Sequence, residues 1–312
     1  MSDRILITGA AGFVGRHLRD ALRLAFPAAA VKATSQDGRD RCDILDITEA
    51  AAVSRAVAAF GPTACVHLAA ISAIAAARAD PALAWQVNLH GTLNLAAALR
   101  AHAPDCQILF ISSADIYGAS FGPAALDEAA LPAPMNAYAA TKAAADLALG
   151  ALAHEGLRTV RLRPFNHTGA GQSEHFVVAA FARQIARIEA GLQPPRIEVG
   201  ALDPQRDFLD VRDVCAAYVA CLRQPEALAP GIVLNIASGQ PRRIGDILSD
   251  LLELAGISAE VAVAGTRLRR ADIALAAGDA TRARRLLSWQ PQTAWRDTLA
   301  VVLADWRRRV QR

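Results

Sequence analysis

Apolar residues in this chain fall into two kinds of stretch. Short runs rich in β-branched residues occur at RILIT (4–8), AVKAT (30–34), ACVHL (64–68), QILFIS (107–112) and TVRLR (159–163). Between them, over 14–24, 50–60, 85–101 and 137–155, apolar positions recur every three to four residues. The first kind predicts buried strands and the second predicts helices with one buried face. Strand–helix repetition of this sort predicts a parallel sheet with helices on both sides. After residue 163 the rhythm loosens. A polar loop over 164–174 leads into a helix over 176–190, which Pro194-Pro195 separates from the next segment. A strand at 206–211, a helix at 212–223 and a strand at 232–237 come next, and from Gln240 short strands and helices run to a last helix over 294–310.

At 312 residues the chain is long enough for one large or two intimate domains. Hydrophobic residues make up 53% and aromatics 5%, the excess being mostly alanine. Charges or turn residues interrupt each apolar run before it reaches bilayer length, so no membrane partner is expected. Residues 1–8 lead directly into the first strand, so no signal peptide is expected. A net charge of +3, with no basic stripe interleaved with aromatics, argues against a nucleic-acid partner. Arg307, Arg308 and Arg309 read as a solvated helix end. Five cysteines (Cys42, Cys65, Cys106, Cys215 and Cys221) are odd in number and include no Cys-x-x-Cys pair. That disfavours disulfides and metal sites and suits a reducing cytoplasm.

The segment ITGAAGFVGRHL follows the first strand and opens a helix, with Gly9, Gly12 and Gly15 in the spacing G-x-x-G-x-x-G. Gly9 permits a tight turn, Gly12 lets backbone approach a pyrophosphate, and Gly15 lets helix and strand pack closely; the helix N-terminus offers N–H groups to the anion. The expected fold is therefore a doubly wound, dinucleotide-binding (Rossmann) parallel sheet. It takes in residues 1–166 and about 205–240, with a smaller interleaved α/β substrate domain from 167–204 and 241–312. At the tip of the second strand stand Thr34, Ser35 and Gln36 rather than an acid, with Lys32, Arg39 and Arg16 nearby. This favours NADP(H), with NAD(H) as the alternative. Asp43 is placed to accept from an adenine amino group.

NAYAATK puts Tyr138 and Lys142 four apart, on one face of a helix. An adjacent ammonium stabilises phenolate, so Lys142 is expected to draw the tyrosine pKa toward working pH, making Tyr138 a proton donor or acceptor for a carbonyl/alcohol pair. Ser113, at the tip of the fourth strand, can hydrogen-bond the same oxygen. Tyr-x-x-x-Lys alone is common on helix surfaces; the glycine loop and the serine give it weight.

These residues resemble the extended short-chain dehydrogenase/reductase family, also called the NAD-dependent epimerase/dehydratase family, over nearly the whole chain. HLAA (67–70), Asn88 and SSADIYG (112–118) belong to the same pattern, in which the catalytic Ser/Thr stands four before the YG tyrosine; this selects Ser113 rather than Ser112. The resemblance implies Ser113, Tyr138 and Lys142 as catalytic residues. It implies a cofactor site made of Gly9, Gly12, Phe13, Val14, Gly15, Ser35, Asp43, Ile44, Leu68, Ala69, Ala70, Asn88, Ile111, Tyr138, Lys142 and Pro164. Hydride would pass between nicotinamide and a nucleotide-sugar carbon while Tyr138 handles the proton and Lys142 holds the nicotinamide ribose.

RPFNHTGAGQ (163–172), FVVAAFARQIARIEAG (176–191) and RDFLDVRDV (206–214) resemble, more narrowly, the branch acting on GDP-6-deoxyhexoses, the GDP-6-deoxy-D-mannose (GDP-D-rhamnose) reductases. A nucleoside diphosphate requires cations, preferably forked ones, and Arg206 and Arg269 are expected there. The other reading of Arg206 is a strand-end ion pair with Asp207. Asn166 offers an amide at a strand-to-loop transition, Asp272 can accept from ribose hydroxyls, and Arg196 is expected near base or ribose. Val177, Ser113 and Asp115 complete the expected substrate set, and His167 is either a sugar contact or a satisfied loop histidine.

Sugar dehydratases of this superfamily carry a glutamate two residues after the catalytic Ser/Thr, often preceded by an aspartate. This chain has Ala114 and the shorter Asp115 there. GDP-mannose 4,6-dehydratases lack the adjacent acid too, so the stronger sign is NHTGAGQ (166–172), which resembles the reductase pattern more than the dehydratase one and leaves Asp115 to hydrogen-bond sugar or a loop amide. The implied activity is reduction of the 4-keto group of GDP-4-dehydro-6-deoxy-D-mannose by NAD(P)H, giving GDP-D-rhamnose; the small-molecule partner is this GDP-linked 4-keto-6-deoxyhexose. The alternatives are a reductase forming the talose epimer, a GDP-mannose 4,6-dehydratase, a nucleotide-sugar 4-epimerase and, from another class, a non-catalytic dinucleotide-binding sensor or scaffold. The alanine-rich helices over 85–101 and 137–155 permit close packing. In this family two such helices per subunit form a dimeric bundle, so a homodimer is expected.

Overall fold

The computed structural model describes residues 3–264 and 273–311. Its strands are β1 (Arg4–Thr8), β2 (Ala30–Ser35), β3 (Asp43–Ile44), β4 (Ala64–His67), β5 (Gln107–Ile111), β6 (Thr159–Pro164), β7 (Asn166–Thr168), β8 (Arg196–Val199), β9 (Gln205–Asp210), β10 (Ile232–Ile236), β11 (Pro241–Arg243), β12 (Glu260–Val263) and β13 (Leu275–Ala276). The helices are α1 (Phe13–Ala25), α2 (Ala50–Phe60), α3 (Ile74–Ala79), α4 (Pro81–Trp85), α5 (Gly91–His102), α6 (Ala137–His154), α7 (Val177–Glu189), α8 (Val211–Arg223), α9 (Ile244–Ala255), α10 (Thr281–Leu287) and α11 (Trp295–Val310).

Seven strands form one sheet in the order β10-β6-β5-β4-β1-β2-β3, every neighbouring pair parallel. Parallel strands need crossovers, and helices covering both faces explain why these strands are apolar throughout rather than alternating. One face packs Ile5, Ile7, Leu109 and Leu162 against Leu18 and Leu22 of α1 and Val214 and Tyr218 of α8. The other packs Leu6, Cys65, Ile108 and Phe110 against Val53, Val57, Leu95 and Leu149. A further core gathers α7, α9 and α11 around Phe181, Ile185, Leu248, Leu251, Leu299 and Trp306. Beside it β9 lies in a four-stranded sheet, antiparallel to β11 and parallel to β7 and β13, while β8 pairs with β12.

The chain leaves β1 toward β2 and β3, then crosses back to β4 on the other side. That reversal opens a crevice at the C-terminal ends of β1 and β4, the usual ligand position in such sheets. Two elements differ from the sequence-based expectation. The helix expected over 85–101 begins earlier, at Pro81 with Asp80 capping the amide of Leu83, and Gln86–His90 forms π-turns before α5 resumes. The polar stretch 164–174 contains β7, because Asn166–Thr168 finds β9 beside it, a partner invisible locally.

Candidate active site

The glycine loop turns directly between β1 and α1. Gly9 has φ +72°, and a Cβ there would lie 2.6 Å from the Ala69 amide nitrogen. At Gly15 a Cβ would lie 2.6 Å from the Gly9 carbonyl oxygen. Both are backbone clashes that no rotamer relieves, so the sequence needs glycine at each. Gly12 caps α1 in extended conformation, and Phe13 and Val14 begin the helix. The result is a cradle of bare backbone and helix N–H groups fitted to a pyrophosphate.

Around this cradle the sheet edge collects the other expected cofactor residues. Ser35 ends β2, Asp43 and Ile44 form β3, Leu68, Ala69 and Ala70 follow β4, Ile111 ends β5 and Pro164 ends β6. The Leu68 amide donates to the Thr8 carbonyl (3.1 Å), which joins the β4 exit to the β1 exit. Asn88 is buried in the π-turn segment. Its Oδ1 accepts from the Ile71 amide (2.8 Å) and its Nδ2 donates to Thr141 Oγ1 (2.9 Å), so it ties the loop after β4 to α6. The basic residues near the end of β2 each stand beside a carboxylate. Lys32 is 3.0 Å from Asp43, Arg16 is 3.6 Å from Asp40, and Arg39 pairs with Asp37.

Ser113 follows β5, and Tyr138 and Lys142 stand one turn apart on α6. Asn136 caps α6 by accepting from the Ala139 amide (2.9 Å), which starts the helix just before Tyr138. Ser113 leaves β5 in extended conformation, lies beside the Tyr138 phenol and accepts from the Asp115 amide (3.1 Å). Lys142 is 3% exposed and sits 4.2 Å above the centroid of Phe110, a cation held against a ring inside the protein.

The electrostatics correct one expectation. Tyr138 is not drawn down by Lys142: burial pushes the phenol well above its ordinary value, the Asp115 carboxylate pushes the same way, and the Ser113 hydroxyl only partly opposes them. Lys142 yields instead. Burial lowers its ammonium to about 7, against an opposing pull from Asp146. A neutral Tyr138 is the form that can give a proton away. His67 is lowered to about 3 by burial and by Lys142, and its ring is spanned by Thr8 Oγ1 (2.6 Å) and Thr92 Oγ1 (2.9 Å), so it stays neutral.

On the substrate side, Asp115 and Arg206 act on each other through their charges. Burial raises the Asp115 carboxyl while the Arg206 guanidinium opposes, and burial depresses Arg206 while Asp115 supports its charge. Asp207 turns the other way, accepting from Ser238 Oγ (2.6 Å) and the Gly239 amide (2.8 Å), so Arg206 is not spent on a pair with its neighbour. Asn166 is exposed on β7 beside β9, and Val177 opens α7. His167, on β7, donates to the Phe165 carbonyl (2.9 Å) and stacks on Phe13. Arg196 stands exposed on β8, 4.0 Å from Glu260. Arg269 and Asp272 lie outside the described residues.

Sequence reasoning missed a buried network behind α6. Asp146, fully buried, accepts from Arg163 Nε (3.1 Å) and Nη2 (3.0 Å) and from Arg161 Nη1 (3.0 Å). Arg163 Nη1 also donates to Tyr117 Oη (3.0 Å), which donates to Asn235 Oδ1 (2.7 Å). The tyrosine of SSADIYG is thus an anchor between strands. The available signal was Asp146 one further turn along the Tyr138–Lys142 face.

Residues 5–237 match the NAD dependent epimerase/dehydratase family. The chain belongs to that family. Its members include a Pseudomonas aeruginosa protein described as GDP-6-deoxy-D-mannose reductase, 39% identical over 100% of this chain and 99% of its own length. A GDP-6-deoxy-D-talose 4-dehydrogenase from Aggregatibacter actinomycetemcomitans is 27% identical over 89% of each chain. Among solved structures, RMD from Pseudomonas aeruginosa complexed with NADPH superposes with a TM-score of 0.88 at 37% identity, covering 99% of this chain and 100% of that one. The UDP-glucose 4-epimerase of Thermus thermophilus in complex with NAD does so with a TM-score of 0.84 at 26% identity, covering 97% and 99%. The family's seven-stranded parallel sheet and its use of NAD(P) account for the cradle at the β1–α1 turn.

Proposed function

We propose that this chain reduces the 4-keto group of GDP-4-dehydro-6-deoxy-D-mannose to GDP-6-deoxy-D-mannose (GDP-D-rhamnose). The observation that carries the substrate assignment is end-to-end similarity to a GDP-6-deoxy-D-mannose reductase at 39% identity. When bound, NAD(P)H supplies the hydride. The chain's own residues do the rest. The Gly9–Gly15 cradle binds the pyrophosphate of the dinucleotide, and Ser113 donates a hydrogen bond to the ketone oxygen. Tyr138, kept protonated by its buried setting, passes its proton to that oxygen as it becomes an alcohol. Charged Lys142, one turn along α6 from Tyr138, holds the nicotinamide ribose. Arg206 takes the substrate diphosphate, with Asp115 aligning its guanidinium.

A dehydratase would need a carboxylate free to work at the carbon next to the ketone. Here Ala114 cannot ionise, and Asp115 is one methylene shorter than the glutamate of the dehydratases. NADPH is the proposed reductant, in line with the NADPH-bound relative and with Lys32 and Arg39 beside the β2 terminus; a higher kcat/KM with NADH would overturn that choice. The exposed Leu83, Trp85 and Leu147 on α4 and α6 support a homodimer through these helices, checked by light scattering. No helix among the described residues is long and apolar enough to cross a membrane, in keeping with a cytoplasmic enzyme.

The test is incubation of purified protein with the ketosugar and NADPH, following absorbance of the cofactor and identifying the sugar by NMR. Loss of NADPH matched by the manno product is expected. No consumption, with GDP-mannose converted instead, would replace the reading with a dehydratase. The talose epimer as product would keep the reductase and change the face of attack.

A further inference from the structure

Lys142 is one of only two lysines in a chain with 33 lysines and arginines, the other being Lys32. Arginine serves nearly everywhere else. A guanidinium keeps its proton at all working pH values, whereas a buried ammonium can lose it, so a lysine here brings a charge that its neighbours can set. Those neighbours are arranged around α6. Tyr138, Lys142 and Asp146 follow one another at four-residue spacing along the face turned to the sheet, with Lys142 3% exposed and Asp146 fully buried. Beneath Lys142 lies Phe110 of β5, and in register beside Phe110 on β6 is Arg161. Arg161 and Arg163 both grip the Asp146 carboxylate, at 3.0 Å each for their closest ion-pair contact. Arg161 is itself pinned by the Gly231 carbonyl (2.6 Å) and Arg163 by Tyr117 (3.0 Å), so the carboxylate cannot swing away.

The charged groups on this wall do not balance. Two cations, Arg161 and Arg163, hold the one carboxylate, Asp146, whose charge also pulls on Lys142 one turn back along α6. His67 of β4, near Lys142, is uncharged, and Asp115 acts on Tyr138 and Arg206. Glu128 is further back, near Asn235 and Arg282.

We propose that Asp146 is a positioning residue that keeps Lys142 charged in the working range, offsetting the two arginines that hold it in place. The inference rests on the reading of Lys142 as part of the reductive site. Without Asp146, Lys142 would lose the carboxylate that favours its charge while Arg161 and Arg163 kept theirs, and of the three the lysine is the one that can give up its proton. Without Arg161, the carboxylate would act on Lys142 with less competition.

The two-lysine composition makes the test direct. In protein labelled with ε-13C lysine, two ε signals are expected, and Lys32, ion-paired with Asp43 at the sheet edge, identifies itself by exchange with Lys32→Arg. The Lys142 signal should titrate at about 7 in the parent protein. Asp146→Asn should move that midpoint down by roughly one pH unit or more, Asp146→Glu should restore most of it, and Arg161→Gln should move it up. Opposite signs for Asp146→Asn and Arg161→Gln are the mark of a charge effect, since a packing role would move both alike or neither. An unmoved midpoint in folded Asp146→Asn, or the same direction in both variants, overturns the proposal. Should Asp146→Asn not fold, Arg161→Gln decides alone, an upward move supporting it and none overturning it. The alkaline limb of kcat/KM should follow the NMR midpoint. If the midpoint moves and the limb does not, Asp146 still governs Lys142, and it is the catalytic reading of Lys142 that fails.

Discussion

Replacing Lys142 with methionine should make the protein more stable and inactive at once. The ammonium moves from an ordinary value of 10.5 to about 7 because burial strips its water, with only Asp146 pulling back. Each pH unit of such a difference is worth about 1.4 kcal/mol, so keeping the charge inside the native protein costs about 5 kcal/mol wherever Lys142 is protonated. The sign follows from proton binding. Between pH 7 and 10.5 the unfolded chain holds a proton that the native chain has released, so parent stability rises with pH across this window; below pH 7 both hold it and the full cost applies. Methionine has similar length and no charge, so Lys142→Met should be more stable by up to about 5 kcal/mol at pH 6, an advantage that shrinks by about 3 kcal/mol between pH 7 and 9. Urea unfolding of both proteins at four pH values and one protein concentration measures the difference curve, in which all unchanged groups cancel. A flat curve, or a variant less stable at pH 6 than at pH 9 relative to the parent, would refute the argument that desolvation dominates at this site.

Tyr138→Phe keeps the ring and loses the proton; turnover should fall about 10²–10⁴-fold while NADPH affinity by fluorescence titration stays within about twofold. Gly9→Ala places a Cβ against the Ala69 amide in a left-handed backbone, so cofactor binding should be lost with about 1–3 kcal/mol of stability, read by titration and thermal melting. Asp213→Ala removes the buried acceptor of the Gln292 (3.0 Å) and Thr293 (3.1 Å) amides; about 1–3 kcal/mol should be lost in urea unfolding, with KM for the cofactor little changed.

Much of the site was legible because its parts are local. A glycine triplet after a strand, a serine where a strand ends, and Tyr-x-x-x-Lys on a helix each announce themselves within a dozen residues, and each occupies the expected element. Asp146 was less legible. Its spacing from Lys142 was visible, but its meaning depends on Arg161 and Arg163 arriving from a strand that follows the helix. The interruption at Gln86–His90 was likewise hidden, because apolar periodicity over 85–101 looks the same whether or not one turn is widened.

By itself the sequence determined which segments become strands and helices and where the glycine turn after the first strand falls, since burial periodicity and turn preference act between near neighbours. Only the tertiary structure decided the charge states. How far Tyr138 is raised and Lys142 lowered depends on how the folded chain desolvates each, on Asp115 beside the phenol and on Asp146, which Arg161 and Arg163 of β6 hold in place. Desolvation and Coulomb energy depend on three-dimensional surroundings, so no local pattern encodes them.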